Sequence, residues 1–171
     1  VTNTVIIPEA QLGVVVLTNT DANGLYEALC YQIIEAYLNL PYRNLSEIYY
    51  SFYAPGFEEA KQQMQNWEKI TSKNPSPALD LTAYTGTYHN PVYGNITISK
   101  ADKGLSISFA NHANLKGDLK PAGDNLFICY YDPISWGVKE IPFVVEDGKV
   151  KSVTITINDF IDFLPYEFTK L

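Results

Sequence analysis

Cysteine, histidine and basic charge are all scarce in this chain, and each scarcity removes a class of function. The only cysteines, Cys30 and Cys129, lie far apart. That excludes the dense disulfide framework of small secreted scaffolds. Cys30 falls in a helical pattern and Cys129 in a strand pattern with apolar neighbours, so both are expected as buried free thiols. The two histidines, His89 and His112, occupy loop-like stretches with no cysteine, histidine or carboxylate at ligand spacing, so no metal site and no cofactor is expected. Twelve Lys and Arg stand against nineteen Asp and Glu, a formal charge of -7. That field repels phosphate backbones, and nucleic acid is not an expected partner. No apolar run approaches the roughly 20 residues of a membrane helix, because Pro8 and Gly13 interrupt the longest ones, and no membrane span is expected. A basic segment followed by an apolar core is also missing at the start, which is Val rather than Met. The chain therefore reads as a processed product or an excised piece of a longer protein.

What is present divides near Leu79. Before it, Val1 to Ile7 and Leu12 to Asn19 are β-rich and are joined by a Pro8 to Gly13 turn signal, which predicts an antiparallel hairpin. The second of these segments is apolar without alternation, as expected of a strand buried on both faces of a larger layered structure. Asp21 or Asn23 can cap a helix running to about Leu40, with Leu25, Leu29, Ile33, Ala36, Tyr37 and Leu40 on one face. Pro41 ends it. Asn44 and Glu47 resemble a capping box for a short helix through Tyr50. Gly56 to Ile70 predicts a further amphipathic helix carrying Phe57, Ala60, Met64 and Trp67. Lys73 to Ala78, with two prolines, reads as an extended connector.

From Thr85 the period changes to two. Eight strand candidates lie near residues 85-88, 93-100, 104-109, 115-120, 125-131, 138-145, 150-157 and 164-169, and turn residues such as Asp147-Gly148 separate them. Sequential hairpins with one apolar face predict an up-and-down antiparallel barrel, since closure removes the exposed edges. The expected fold class is α+β: a strand pair with its helix over 1-40, a helical bridge and linker over 41-78, and a barrel over 79-171. Ile96, Ile98, Leu105, Ile107, Phe109, Phe127, Val153, Ile155 and Ile157 are the candidate filling. Asp159-Phe-Ile-Asp162 sets two carboxylates close together without the oxygen spacing of a calcium loop and reads as a solvated turn.

Two stretches carry resemblances. Gln11-Leu-Gly-Val-Val-Val-Leu-Thr-Asn19, followed by a helix, resembles the end of a serine β-lactamase-like domain of the class C and penicillin-binding-protein kind. Leu81-x-x-Tyr-x-Gly-x-Tyr-x-Asn-x-x-Tyr-Gly94 resembles the opening of the lipocalin-like β domain often appended to such hydrolases. The resemblance implies a parent hydrolase domain as partner and a periplasmic, cell-envelope or secreted location. Its catalytic motifs do not carry over. No serine is followed three residues later by lysine, and no Lys-Thr-Gly or His-x-Gly strand occurs, so the chain is expected to be non-enzymatic. The expected role is an accessory barrel that covers or restricts the parent active site. The rivals are a lipocalin-like module for a small ligand or peptide, and an envelope protein-interaction domain. Tyr130, Tyr131 and Trp136, with Tyr88 and Tyr93, form the candidate ligand or interdomain surface, with core packing as the alternative. A homodimer paired through residues 12-19 is a further expectation, because a lone hairpin is marginal.

Overall fold

A computed structural model describes residues 1-20, 23-102, 104-158 and 162-171, and in it the chain resolves into two compact units, Val1-Gln63 and Met64-Leu171. Asp21, Lys103 and Asp159 fall outside the described residues, as do the side chains of Ile157 and Asp162. The cap assigned to Asp21, the Asp159-Asp162 turn and the inward placement of Ile157 therefore lie outside what the structure describes.

In the first unit, β1 (Thr2-Ile7) and β2 (Leu12-Leu17) pair antiparallel. The hairpin turns through a 3-10 segment at Pro8-Ala10 and a left-handed Gln11. Helix α1 (Leu25-Tyr37) packs on this pair, where Cys30 and Ile34 meet Val14 and Val16. Asn23 starts the helix by accepting a hydrogen bond from the Leu25 N-H at 2.9 Å. The helix ends before Pro41 in a Schellman motif. Leu40 N-H reaches Glu35 O at 2.9 Å, Asn39 N-H reaches Ala36 O at 3.2 Å, and Asn39 is left-handed.

Two expectations about this unit are corrected. Strand β2 is buried on one face only, through Val14 and Val16, and leaves Val15 and Leu17 exposed. Helix α1 buries Ala28, Cys30, Ile34 and Glu35, while Leu25, Leu29, Ile33, Ala36, Tyr37 and Leu40 are exposed. The cause is that α1 is apolar nearly all round, so a three-and-four spacing can be drawn through more than one face. The strand pair takes the face that carries Cys30 and Ile34.

The bridge also differs from expectation. One helix, α2 (Leu45-Ser72), replaces the two expected, with Pro55 inside it. A proline removes one backbone hydrogen bond but can leave the ladder intact on either side. The capping reading at its start holds in modified form. Asn44 Oδ1 accepts the Glu47 N-H at 3.3 Å, and the Asn44 amide donates to the Glu47 carboxylate at 2.9 Å. Buried Glu35 pairs with Arg43 just before this helix.

The second unit is a closed antiparallel barrel. The short helix α3 (Leu81-Tyr84) precedes β3 (Gly86-Asn90), β4 (Gly94-Ala101), β5 (Gly104-Phe109) and β6 (His112-Gly123). Next come β7 (Leu126-Asp132), β8 (Val138-Glu146), β9 (Lys149-Asn158) and β10 (Asp162-Lys170). Each strand pairs with its sequence neighbour, and β10 closes the ring on β3. The seam is short, with Thr169 opposite His89 and Lys170 opposite Tyr88. Leu171 N-H extends it by donating to Thr87 O at 3.0 Å.

Inward residues fill the barrel, as its small size requires. Ile96, Ile98, Leu105, Ile107, Phe127, Val153 and Ile155 are all buried in one cluster with Tyr84, Tyr88 and Phe168. Gly117 is an inward position without a side chain. A Cβ there would lie 2.5 Å from Cys129 Sγ and 3.2 Å from both Ile107 and Tyr131. On the outside, the end of α2 lies along β7 and β8. Trp67 Nε1 donates to Glu140 at 2.9 Å, and Thr71 Oγ1 is 3.2 Å from Tyr130 Oη.

Candidate functional site

An up-and-down barrel has two ends with different connections, and here they differ in chemistry. At one end α3 plugs the opening. Asp80 precedes this single turn, and Tyr84 drops into the barrel as part of an aromatic triangle, with its ring 5.0 Å from both Phe127 and Phe143. Its hydroxyl donates to Asn125 Oδ1 at 2.7 Å and accepts the Leu79 N-H at 3.2 Å. Tyr88 Oη donates to Tyr84 O at 2.6 Å, and Lys170 Nζ donates to Ala83 O at 2.6 Å. Burial pushes the pKa of Tyr84 and Tyr88 up and that of Lys170 down. Such groups hold the plug in place rather than exchange protons. The hairpin turns Gly123-Leu126 and Glu146-Lys149 at this end are polar.

The other end collects the β3-β4, β5-β6 and β7-β8 connections. Asn90 organises the first. Its side-chain oxygen accepts the Val92 and Tyr93 N-H groups at 2.9 and 3.1 Å, and its amide donates across the seam to Glu167 O at 2.9 Å. Tyr93 then folds back edge-on to Tyr166 with ring centroids 4.7 Å apart. A 3-10 turn, Ile134-Trp136, forms the β7-β8 connection and places Trp136 6.3 Å from the His112 ring. A cleft of about 200 Å³ lies between them, floored by Leu115 and walled by Pro133. Just inside, Phe109 and Tyr131 are 6.2 Å apart. The Tyr131 hydroxyl is buried with no hydrogen-bond partner among the described residues. Burial, and the Cys129 thiol beside it, push the Tyr131 pKa up. Burial likewise pushes Cys129 up to about 12, so the thiol is protonated and unreactive at neutral pH.

The five candidate aromatics do not form one surface. Tyr88 and Tyr131 are interior. Tyr130, the neighbour of Tyr131, points outward under Lys120 at 4.4 Å. Tyr93 and Trp136 share the second end but belong to different connections. His89 hydrogen-bonds Asn95 at 2.7 Å, whereas His112 faces the Trp136 ring. Among the described residues no group of three His, Cys, Asp or Glu side chains could hold a metal ion, and no helix is long and apolar enough to cross a membrane.

Asn90 and Asn125 were not legible as key positions, since their partners lie 77 and 41 residues away. The opening stretch Leu81 to Gly94 is explained residue by residue as barrel architecture. Tyr84 plugs, Gly86 takes a positive φ beside Lys170, Tyr88 ties strand to plug, Asn90 shapes the turn, and Gly94 takes a positive φ after it. It is a fold signature before it is a binding one.

The first unit has a separate hollow of about 630 Å³, lined by Leu25, Tyr49, Tyr50 and Phe57 with Asn44 and Glu47 at its polar side. Its walls belong to the exposed side of α1 and the first half of α2.

In a comparison with known families, residues 71-170 match the family described as Domain of unknown function (DUF3471). Neither curated proteins nor solved structures give a match.

Proposed function

We propose that this chain, which belongs to the DUF3471 family, is the non-catalytic C-terminal region of a larger serine hydrolase of the β-lactamase or penicillin-binding-protein kind. In this reading the barrel is an accessory domain that covers or restricts the parent active site. The observation that carries the reading is the state of β1 and β2. Strand β2 is apolar on both faces, yet only the face toward α1 is covered, and Val15 and Leu17, with Ile6 of β1, stand exposed on the other. A strand with two apolar faces is built for the interior of a layered sheet. The exposed Leu25, Leu29 and Ile33 on α1 supply a second uncovered surface of the same kind. Both are what the last strands and helix of a larger domain would leave bare.

The barrel supports the accessory role through its filling. A module that carries a ligand inside needs an open interior, and here Tyr84, Phe127 and Phe143 occupy the plugged end while Ile96, Ile107, Leu119 and Ile155 occupy the middle. In this reading the barrel makes its contacts from outside.

The test is hydrolysis of ester, β-lactam and D-peptide substrates by the longer parent chain, with and without residues 79-171. A change in rate or substrate preference, with the remainder still folded, is the expected result. Identical activity on every substrate would remove the accessory reading.

A further inference from the structure

The end of the barrel away from the plug repeats one local design twice. In Asn90-Pro91-Val92-Tyr93 and in Asp132-Pro133-Ile134-Ser135-Trp136, a proline precedes an aliphatic residue that points into solvent. An aromatic residue follows and folds back onto the barrel. Near the start of β10, Leu164-Pro165-Tyr166 has the same three members in another order. Val92 is 71% exposed, Ile134 90% and Leu164 64%. Behind them Tyr93, Trp136 and Tyr166 are half-buried against the core cluster. Turn tips are ordinarily polar, as they are at the opposite end, and proline fixes φ, so these aliphatic tips are held out rather than merely left out.

We propose that this end of the barrel seats reversibly in the interface of a zwitterionic lipid bilayer. Three observations favour lipid over a protein partner. The tips belong to separate elements, and the cleft beside Trp136 measures only about 200 Å³. A protein would have to offer a matching pocket to each tip, whereas a fluid apolar layer takes all three. Tyrosine and tryptophan lie one layer behind the tips, the level at which such rings favour the membrane-water boundary. Finally, residues 90-94, 109-112 and 132-138 contain no lysine or arginine, and the nearby Lys116 is paired with Asp132 at 3.4 Å. With a chain charge of -7, these connections carry no basic residue of their own to draw the protein to anionic lipid. Zwitterionic lipid is therefore selected by charge as well as by apolarity. Inserting three aliphatic tips gives a weak partition, on the order of 10³ to 10⁴ M⁻¹, comparable with a single acyl anchor. This proposal is independent of the parent-hydrolase reading.

The experiment is co-sedimentation of the full 171-residue chain with large vesicles of pure phosphatidylcholine at millimolar lipid, repeated with a quarter of the lipid replaced by phosphatidylglycerol. The comparison set is a Val92→Ser/Ile134→Ser double variant and a Val144→Ser control on the barrel wall, each checked for an unchanged circular dichroism spectrum. The expected result is binding to phosphatidylcholine that falls at least tenfold in the double variant, stays within twofold in the control, and weakens with the anionic lipid. In a Trp67→Phe background, brominated phosphatidylcholine is expected to quench Trp136. A chain that stays in the supernatant would overturn the proposal and reassign the tips to protein contact. Binding unchanged by the double variant, or strengthened by phosphatidylglycerol, would overturn it as well, since the exposed apolar residues of the first unit or plain charge would then be responsible.

Discussion

The first unit of this chain is proportionally richer in apolar residues than the barrel unit, and the two spend them differently. In the barrel, the inward residue of nearly every strand pair is buried, the sheet has no free edge, and α3 closes one end. In Val1-Gln63 the core cluster is four buried residues, Val14, Val16, Cys30 and Ile34, with Val5, Ile7, Leu12 and Tyr26 partly covered around it. Large side chains of β1, β2, α1 and α2 remain in solvent. Apolar content therefore does not make a unit self-sufficient. Closure does, because a ring of strands satisfies every internal edge, whereas a two-stranded sheet under one helix leaves both of its outer edges and one whole face without a partner.

The largest effect expected from this contrast is in the separate pieces. Residues 71-171 should fold alone with a cooperative thermal transition and dispersed amide spectra, while residues 1-63 should show neither. A cooperative transition in the shorter piece would erase the distinction drawn here.

Within the barrel, the seam is the next place to press. Asn90→Ala removes two turn hydrogen bonds and one cross-seam bond, and leaves Glu167 O without its donor. A loss of about 2-4 kcal/mol is expected by urea denaturation. A cost below about 0.5 kcal/mol would mean that the strand ladder alone closes the ring.

High pH should unfold the barrel, with a sign fixed by three buried acids. Cys129 is held up to about 12, and Tyr88 and Tyr131 are also raised, all chiefly by burial. Below about pH 8 these groups are protonated in folded and unfolded chains alike, so they add no pH dependence. Above that the unfolded thiol ionises first, then the tyrosines, and the unfolded state binds fewer protons. Stability should then fall by up to about 1.4 kcal/mol per pH unit for each group. Urea midpoints between pH 7 and 11 check this, and a flat profile would show that these groups reach solvent.

The smallest expected effect is a packing pair. Gly117→Ala presses a methyl on Cys129 Sγ and should cost about 1-3 kcal/mol. Cys129→Ala in the same chain should return part of that loss, a coupling that a double-mutant cycle reads directly.

Much of the barrel was legible because two-residue alternation and turn residues are local signals. The strand expected at 93-100 is Gly94-Ala101, and that expected at 138-145 is Val138-Glu146. Strand β6 is longer than its expected 115-120, since His112-Ala-Asn lacks alternation and Pro121 reads as a terminator, yet both lie inside His112-Gly123. The face of α1 was not legible, because a helix apolar on most sides has no preferred stripe until something covers it. The aromatic candidates show a different limit. Tyr130 and Tyr131 are adjacent on one strand, so the same alternation that revealed the barrel sends them to opposite faces. The apolar tips at the second end did have a local signal, an aliphatic residue beside proline in a turn, and it was obscured by the nearby tyrosines.

The most direct measurement of the contrast between the units is native-state hydrogen exchange on the intact 171-residue chain. The account predicts that amides of β4-β7 exchange only through global opening of the barrel, while those of β1, β2 and α1 exchange through a separate opening of much lower free energy. Equal protection of residues 12-17 and 105-119 in a monomeric chain would contradict it, because the first unit would then need nothing beyond itself.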